Sequence, residues 1–396
     1  MRRYVSIGAV ISLVVWMGAH TASAGSLGWG MDTPEGKPIA GDKVFVANED
    51  SSDVAVIDTK TNTVIKRISV GAAPHMPLAS FDGKYVYVTG TNSNDVTVID
   101  THSLDVVKRM AVGKAPEHLN TTPDGRYLAV VNHDSFDVSL IDSRSLEVIH
   151  TVSVGREPEN VTFSPDSRFA YVTGMASYEV SVINLTSFTT IASIPIAGGP
   201  TVAALQPVGK ARGPEIATIH PRVKKAYVPN MDTHNVSVVN LLSNEVEKVL
   251  VVGRRPHHST MTPDGRSVYV LNRGSNTVSV IDTTRDDLVA TIPVGEDATG
   301  VLFTPDSTQA YVVNRHSHTL SVIDVRTHRV IKTLQTGRHP ETAAMTADGS
   351  RIYVVNSASE DVTVIDTSRN EVVRTITGVG HYPWAIAVAG GSGFCH

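Results

Sequence analysis

The stretch Lys84-Tyr-Val-Tyr-Val-Thr-Gly-Thr-Asn-Ser-Asn-Asp-Val-Thr-Val-Ile-Asp100 has the pattern of two β-strands joined by a short polar turn. Val86 and Val88 alternate with other residues in its first half, and Val96 and Val98 do so in its second half. This is the period of a half-buried strand. The polar residues between the two halves are typical of a hairpin turn, so the stretch predicts a β-hairpin.

The same pattern recurs along the chain, and each copy ends in Ile-Asp or a variant of it. The closing residues are Asp58, Asp100, Asp142, Asn184, Asn240, Asp282, Asp324 and Asp366. Successive closing residues are 42 positions apart, except that 56 positions separate Asn184 from Asn240. A fixed period of this size indicates a repeat architecture.

Each unit continues with a third strand, a Gly-x-x-Pro connection, a fourth short strand and a Pro-Asp-Gly type of turn, with no helical period between them. Four-stranded units repeated radially are the blades of a propeller. The first unit supplies only three strands, and residues 384–389 at the other end of the chain supply the missing inner one. The sequence therefore predicts an all-β, eight-bladed β-propeller in which the C-terminal strand completes the first blade. A solenoid is the alternative, but it needs capping repeats that the sequence does not show.

Four short motifs carry a family resemblance: Tyr-Val-Thr-Gly, Tyr-Val-Val-Asn, Asp-Val-Thr-Val-Ile-Asp and Thr-Pro-Asp-Gly. They resemble the YVTN β-propeller repeat over residues 43–390. The resemblance implies the fold more strongly than a function, because propellers of this kind serve many functions. Relatives by fold include the haem d1 domain of nitrite reductases, nitrous oxide reductase, lactonases and plain binding scaffolds.

The regions outside the repeats predict an exported protein. Residues 1–24 have the basic start, apolar stretch and Ala-Ser-Ala site of a secretory signal peptide, which predicts a periplasmic or secreted location. The apolar stretch is short for a membrane span, so we expect no transmembrane segment in the mature chain. Residues 25–42 are predicted to be an arm, 198–211 an inserted loop within the propeller, and 391–396 a flexible tail.

Composition excludes several functional classes. The net charge is −5 and there is no basic run, which disfavours nucleic-acid binding. The only cysteine is Cys395, so no internal disulfide forms, and the absence of Cys-x-x-Cys-His excludes covalent c-type haem. The repeated Asn and Asp at strand ends are interpreted as structural turn residues. No Ser-His-Asp triad is recognisable.

Candidate functional residues gather on one face of the predicted ring, where the blade connections and the second-to-third-strand turns lie. We call this face the mouth. At the two positions after the connecting proline, the starts of the inner strands carry an unusual set of polar residues. The predicted metal ligands there are His75, Glu117, His118, His257 and His258. The predicted ligand-binding residues of the same face are His133, Glu159, Glu215, Arg273, Arg315, His316, Glu341 and Trp384.

Imidazole side chains suit copper or zinc, and the carboxylates widen the range of metals that the site could bind. The alternative is that these residues line a water-filled channel and bond to one another. A haem d1-type tetrapyrrole is a further alternative, with His75, His118 or His257 as axial ligand and Arg273 with Arg315 binding its carboxylates.

The sequence favours a binding protein, for a small ligand or a periplasmic partner, over an enzyme. The resemblance suggests a redox or metal pathway. The enzyme alternatives are a copper oxidoreductase and a metal-dependent lactonase.

Overall fold

The computed structural model describes residues 42–80, 82–196, 217–220 and 224–393, and these residues form strands and turns without a helix. The predicted signal peptide, most of the predicted arm, the predicted inserted loop, Glu215 and Cys395 lie outside the described residues. Within the described residues, no helix has the length and hydropathy of a membrane span.

The first four blades follow one another along the chain. The first contains β1 (Lys43–Asn48), β2 (Asp53–Asp58) and β3 (Thr63–Ser69). The second contains β4 (Pro74–Ala79), β5 (Tyr85–Gly90), β6 (Asp95–Asp100) and β7 (Val106–Ala111). The third contains β8 (Pro116–Thr121), β9 (Tyr127–Asn132), β10 (Asp137–Asp142) and β11 (Glu147–Ser153). The fourth contains β12 (Pro158–Phe163), β13 (Phe169–Gly174), β14 (Glu179–Asn184) and β15 (Thr189–Pro195).

The remaining blades repeat the same order. The fifth contains β16 (Thr218–Ile219), β17 (Lys225–Asn230), β18 (Asn235–Asn240) and β19 (Glu245–Val251). The sixth contains β20 (Pro256–Met261), β21 (Ser267–Asn272), β22 (Thr277–Asp282) and β23 (Asp287–Pro293). The seventh contains β24 (Ala298–Phe303), β25 (Gln309–Asn314), β26 (Thr319–Asp324) and β27 (Arg329–Gln335). The eighth contains β28 (Pro340–Met345), β29 (Arg351–Asn356), β30 (Asp361–Asp366) and β31 (Glu371–Thr377).

The C-terminal strand closes the ring as predicted. β32 (Pro383–Val388) pairs with β1 and becomes the inner strand of the first blade, in the order β3-β2-β1-β32. The described residues thus form eight antiparallel sheets, and the eight-bladed propeller is confirmed. One element was not predicted: β33 (Ser392–Gly393) pairs with the end of β28 and adds a fifth strand to the eighth blade.

The core lies between adjacent sheets, because each blade buries the alternating apolar residues of its middle strands against the next blade. Phe45 and Val54 of the first blade, for example, pack with Val86 and Ile99 of the second. This pattern explains why the period-2 residues of the opening stretch are fully buried.

The repeated Asn and Asp residues are structural, as predicted. Asp100 Oδ1 accepts the backbone N–H groups of His102 and Ser103, each at 2.9 Å, which stabilises the turn after β6. Asn132 is fully buried, and its Nδ2 donates to Asp137 Oδ1 at 2.6 Å and to Ser139 Oγ at 2.9 Å across the β9–β10 hairpin. Asn132 thus forms its hydrogen bonds with other side chains, whereas bonds to backbone groups were expected.

Candidate functional site

A β-bulge at the start of the inner strands directs the candidate side chains. In β8, Pro116 pairs with Asn132 but the next pair is Leu119 with Val130, so Glu117 and His118 stand outside the regular register. Such bulges re-aim side chains at the rims of β structures. Register shifts at the same place in β4, β12, β20, β24, β28 and β32 put one residue of each blade in the same position: His75, Glu159, His257, Thr299, Glu341 and Trp384.

Backbone hydrogen bonds hold the second-to-third-strand turns against the blade connections, so both lie on the mouth. In the third blade, His133 N donates to Ala115 O at 2.9 Å and Asp134 N donates to Lys114 O at 3.1 Å. Equivalent bonds join Arg273 to Arg255 and Arg315 to Asp297. These bonds fix the turn residues beside the start of the inner strand of the same blade.

The bulges of the third and fourth blades and the β9–β10 turn bring three ligand-type side chains together. One ligand atom each from Glu117, His133 and Glu159 lies within 4.8 Å of the other two. No other group of three such side chains is this close in the part of the chain that the structure describes. Glu159 is buried, with 9% of its surface exposed, whereas Glu117 and His133 are half-buried.

His133 is held by a neighbouring carboxylate. Its Nδ1 lies 2.8 Å from Asp134 Oδ1. Burial of the ring would lower the pKa of His133, but the bond to Asp134 and the charges of Glu117 and Glu159 together raise it above its ordinary value. The site therefore has a negative potential that favours a cation.

An aromatic row continues the site toward the first blade. The rings of His75 and His118 meet edge-to-face with centroids 5.5 Å apart, and His75 lies 5.6 Å from Trp384. Tyr382 stacks on the far side of Trp384 at 5.9 Å. Two of the predicted metal ligands, His75 and His118, are thus neighbours on consecutive blades.

His257 and His258 are buried at the start of β20 in the sixth blade. The sixth blade is four blades away from the second blade in the ring, so these residues lie across the ring from His75. The structure therefore divides the predicted metal ligands between two sides of the mouth.

The predicted basic residues form an ion-pair network around Asp297, which the sequence analysis did not single out. Arg273 Nε donates to Asp297 Oδ1 at 2.6 Å, and Arg315 Nε donates to Asp297 Oδ2 at 2.7 Å. His316 Nε2 lies 3.4 Å from the same carboxylate. Burial would raise the pKa of Asp297, but the hydrogen bonds and charges of the two guanidinium groups lower it to about 2.

Glu341 extends this network into the eighth blade. It is almost fully buried, with Ser357 Oγ donating to its Oε1 at 2.6 Å and Arg315 Nη1 lying 3.4 Å from its Oε2. Both arginines are therefore neutralised by carboxylates of the protein itself. The sequence held one signal for Asp297: its connection, Gly295-Glu-Asp-Ala298, is the one in which the usual proline is missing.

Sequence comparison with protein families gives two partial matches. Residues 40–205 match the cytochrome D1 heme domain, and residues 242–380 match a lactonase family described as a 7-bladed beta-propeller. Each match covers less than half of the chain, and the eight blades of this structure differ from the seven of the second description. A search of curated proteins gave no significant match.

Several solved structures share the fold. Hydrazine synthase from Kuenenia stuttgartiensis is 23% identical, with 74% of this chain and 96% of that chain covered and a TM-score of 0.59. The dihydro-heme d1 dehydrogenase NirN in complex with DHE is 18% identical, with 93% and 80% covered and a TM-score of 0.72. AztD from Citrobacter koseri is 15% identical, with 89% and 98% covered and a TM-score of 0.64. At these identities the likeness shows the fold alone.

The two arginines predicted to bind the carboxylates of a haem d1-type tetrapyrrole are not arranged for that role in the structure. The carboxylates of such a group need basic partners, but Arg273 and Arg315 already bind Asp297. Glu117, Glu159 and Glu341 add negative charge at the starts of the inner strands.

Proposed function

Because the chain is a β-propeller of the YVTN-repeat type, we propose that it is an exported binding protein that holds a divalent metal ion at its mouth, alone or as part of a small ligand. The signal-peptide pattern of residues 1–24 supports export to the periplasm or beyond. Binding is proposed over catalysis because no Ser-His-Asp triad is recognisable in the sequence.

The observation that carries this proposal is the arc of imidazoles and carboxylates on consecutive blades. The bulges of β4, β8 and β12 place His75, Glu117 and Glu159 at matching positions of neighbouring blades. His118 meets His75 at 5.5 Å, and Glu117 and Glu159 converge with His133. Mixed nitrogen and oxygen ligands of this kind suit zinc and other first-row divalent metals.

The ligand set predicted from the sequence also includes His257 and His258 of the sixth blade, which lie across the ring from this arc. The proposed binding face also includes Trp384, which is next to His75, and the charged network of Arg273, Arg315, His316 and Glu341. These residues lie on the same face as the proposed metal site and are proposed to contact the rest of a ligand or a periplasmic partner.

Metal uptake by the mature chain tests the proposal. The chain is dialysed against zinc, copper or manganese at neutral and at mildly alkaline pH, because protons compete with the metal for His133, whose pKa is raised. Bound metal is measured by elemental analysis. We expect about one tightly bound ion per chain. The double variant His75→Gln with Glu117→Gln should lose it.

The matched control is His102→Gln with Glu245→Gln, because both residues are exposed and lie toward the face opposite the mouth. It should bind metal as the parent chain does. The proposal is wrong if the parent chain takes up no more metal than the mouth variant.

A further inference from the structure

We infer that the metal ion is bound by Glu117, His133 and Glu159, with Asp134 as the residue that positions His133, and that the ion links the third and fourth blades. This inference rests on the proposed function, since it names the site of the metal. It differs from the sequence prediction, which placed His133 and Glu159 outside the metal ligands and relied on four further histidines.

Three separate features of the fold bring these ligands together. The bulge of β8 supplies Glu117, the bulge of β12 supplies Glu159, and the turn between β9 and β10 supplies His133. The backbone bonds from His133 and Asp134 to the connection before β8 hold that turn in place. A site built on strands and a bonded turn is already close to ligand geometry, which lowers the cost of binding.

The bond to Asp134 selects the metal-binding atom of His133. An ionised carboxylate only accepts hydrogen bonds, so the Nδ1 atom at 2.8 Å from Asp134 Oδ1 carries the proton. In the neutral ring, Nε2 then has the free lone pair for a metal. Metal-binding histidines commonly donate their other ring N–H to a carboxylate in this way.

The donor set indicates the class of metal. Carboxylates are hard ligands and imidazole is a borderline ligand. A set of two carboxylates and one imidazole therefore favours zinc, iron(II), cobalt(II) or manganese(II) over copper(I). Two carboxylates also balance the charge of a divalent ion. Three protein ligands leave at least one coordination position for water or for an anionic group of a bound ligand.

The test uses isothermal titration of the mature, metal-free chain with zinc and manganese at neutral pH. Glu117→Gln, His133→Gln and Glu159→Gln should each weaken zinc binding at least about tenfold, because each removes a ligand. Asp134→Asn should weaken it by a smaller factor, since the ring keeps its ligand atom but loses its orientation. His102→Gln is the control and should bind zinc as the parent does.

Copper(II) provides a second measurement that needs no substitution. Electron paramagnetic resonance of the copper-loaded parent chain should show coupling to one ligand nitrogen, from His133. Coupling to three or more nitrogens would overturn the inference in favour of the histidine set predicted from the sequence. Loss of zinc binding in His257→Gln, with Glu159→Gln unaffected, would overturn it in the same way.

The outcomes distinguish the proposed metal-binding function from this assignment of the metal ligands. Metal that binds at the mouth without Glu117, His133 and Glu159 contradicts this inference but keeps the proposed function. No metal binding by the parent chain contradicts both, and the three side chains are then an internal ion-pair cluster around protonated His133. The melting temperature of each metal-free variant shows whether its fold is intact. Zinc should raise the melting temperature of the parent and of His102→Gln most, that of Asp134→Asn less, and those of the three ligand variants least.

Discussion

Asp297 shows how a single residue determines the electrostatics of one side of the mouth. Its carboxylate is buried and binds both Arg273 and Arg315, so two guanidinium groups of neighbouring turns depend on it. Because Arg315 also reaches Glu341, loss of Asp297 would leave two guanidinium groups facing each other with a single acidic partner. Removing one partner of a buried ion pair costs more than the pair itself contributes.

We therefore predict that Asp297→Asn lowers the free energy of unfolding at pH 7 by at least about 2 kcal/mol, the value of a pKa shift of roughly two units. The folded pKa of Asp297 is about 2, below its unfolded value near 4. The stabilisation is thus complete above about pH 5 and is lost progressively as the pH falls from there through the folded pKa of about 2. Urea unfolding of parent and variant across this range should show their difference shrinking with acid.

The control for this prediction is Asp287→Asn. Asp287 is fully exposed and pairs with Lys248 at 2.7 Å on the outer strands, where solvent screens the interaction. Its unfolding curve should stay close to that of the parent. An Asp297→Asn curve equally close to the parent would contradict the role given to the ion-pair network.

At the scale of strands and turns, the sequence predicted most of what the structure contains. The period-2 alternation, the polar turns and the 42-residue repeat are local signals, and each reports a strand or turn that the structure confirms. The convergence of Glu117, His133 and Glu159 had no such signal. It depends on a bulge and on hydrogen bonds between a turn and a connection, which periodicity does not encode. β33 was missed because two residues are too few to show a period.

A second unpredicted feature is a recurring bond between neighbouring blades. The buried tyrosine of the second strand donates its hydroxyl to a turn residue with positive φ in the next blade. Examples are Tyr227 to Asp286 at 2.6 Å, Tyr311 to Asn370 at 2.5 Å and Tyr353 to Asn62 at 2.9 Å. The last of these joins the eighth blade to the first. This bond therefore spans the junction at which the ring closes.

We predict that Tyr353→Phe lowers the free energy of unfolding by about 1 kcal/mol, the net value of one hydrogen bond, while the ring stays packed. The matched control is Tyr171→Phe, because Tyr171 occupies the same position in the fourth blade without such a bond in the described part of the chain. Calorimetry of both variants gives the comparison. Equal changes in the two variants would mean that the bond adds nothing to stability.

At the scale of the whole molecule, closure of the ring is the largest structural consequence of the repeat. β32 pairs with β1 over most of its length, and Glu49 N donates to Tyr382 O at 3.0 Å just before it. Asn48 Nδ2 donates to Val379 O at 2.7 Å across the same junction. The two ends of the described chain thus form one sheet, and no edge of β1 is left for pairing with another molecule.

The mouth depends on this closure as well. Trp384 in the bulge of β32 lies beside His75 of the second blade, so the aromatic row exists only when the C-terminal strand is in place. After β32, the C-terminal segment continues to β33, which pairs with Ala344 and Met345 of the eighth blade. The C-terminal segment therefore contacts the first and the eighth blades, but only β32 completes a sheet.

This difference leads to a graded prediction for truncation. A chain that ends at Gly380 loses Ile386, Val388 and the rest of an inner strand whose side chains are buried. Each buried aliphatic residue contributes about 2 kcal/mol or more, and a folded domain has only about 5–15 kcal/mol in total. We expect insoluble or molten protein without near-ultraviolet circular dichroism.

A chain that ends at Gly390 loses only β33 and should melt cooperatively within a few degrees of the parent. A chain ending at Gly380 that melted at the parent's temperature would show that the ring is closed by something other than β32.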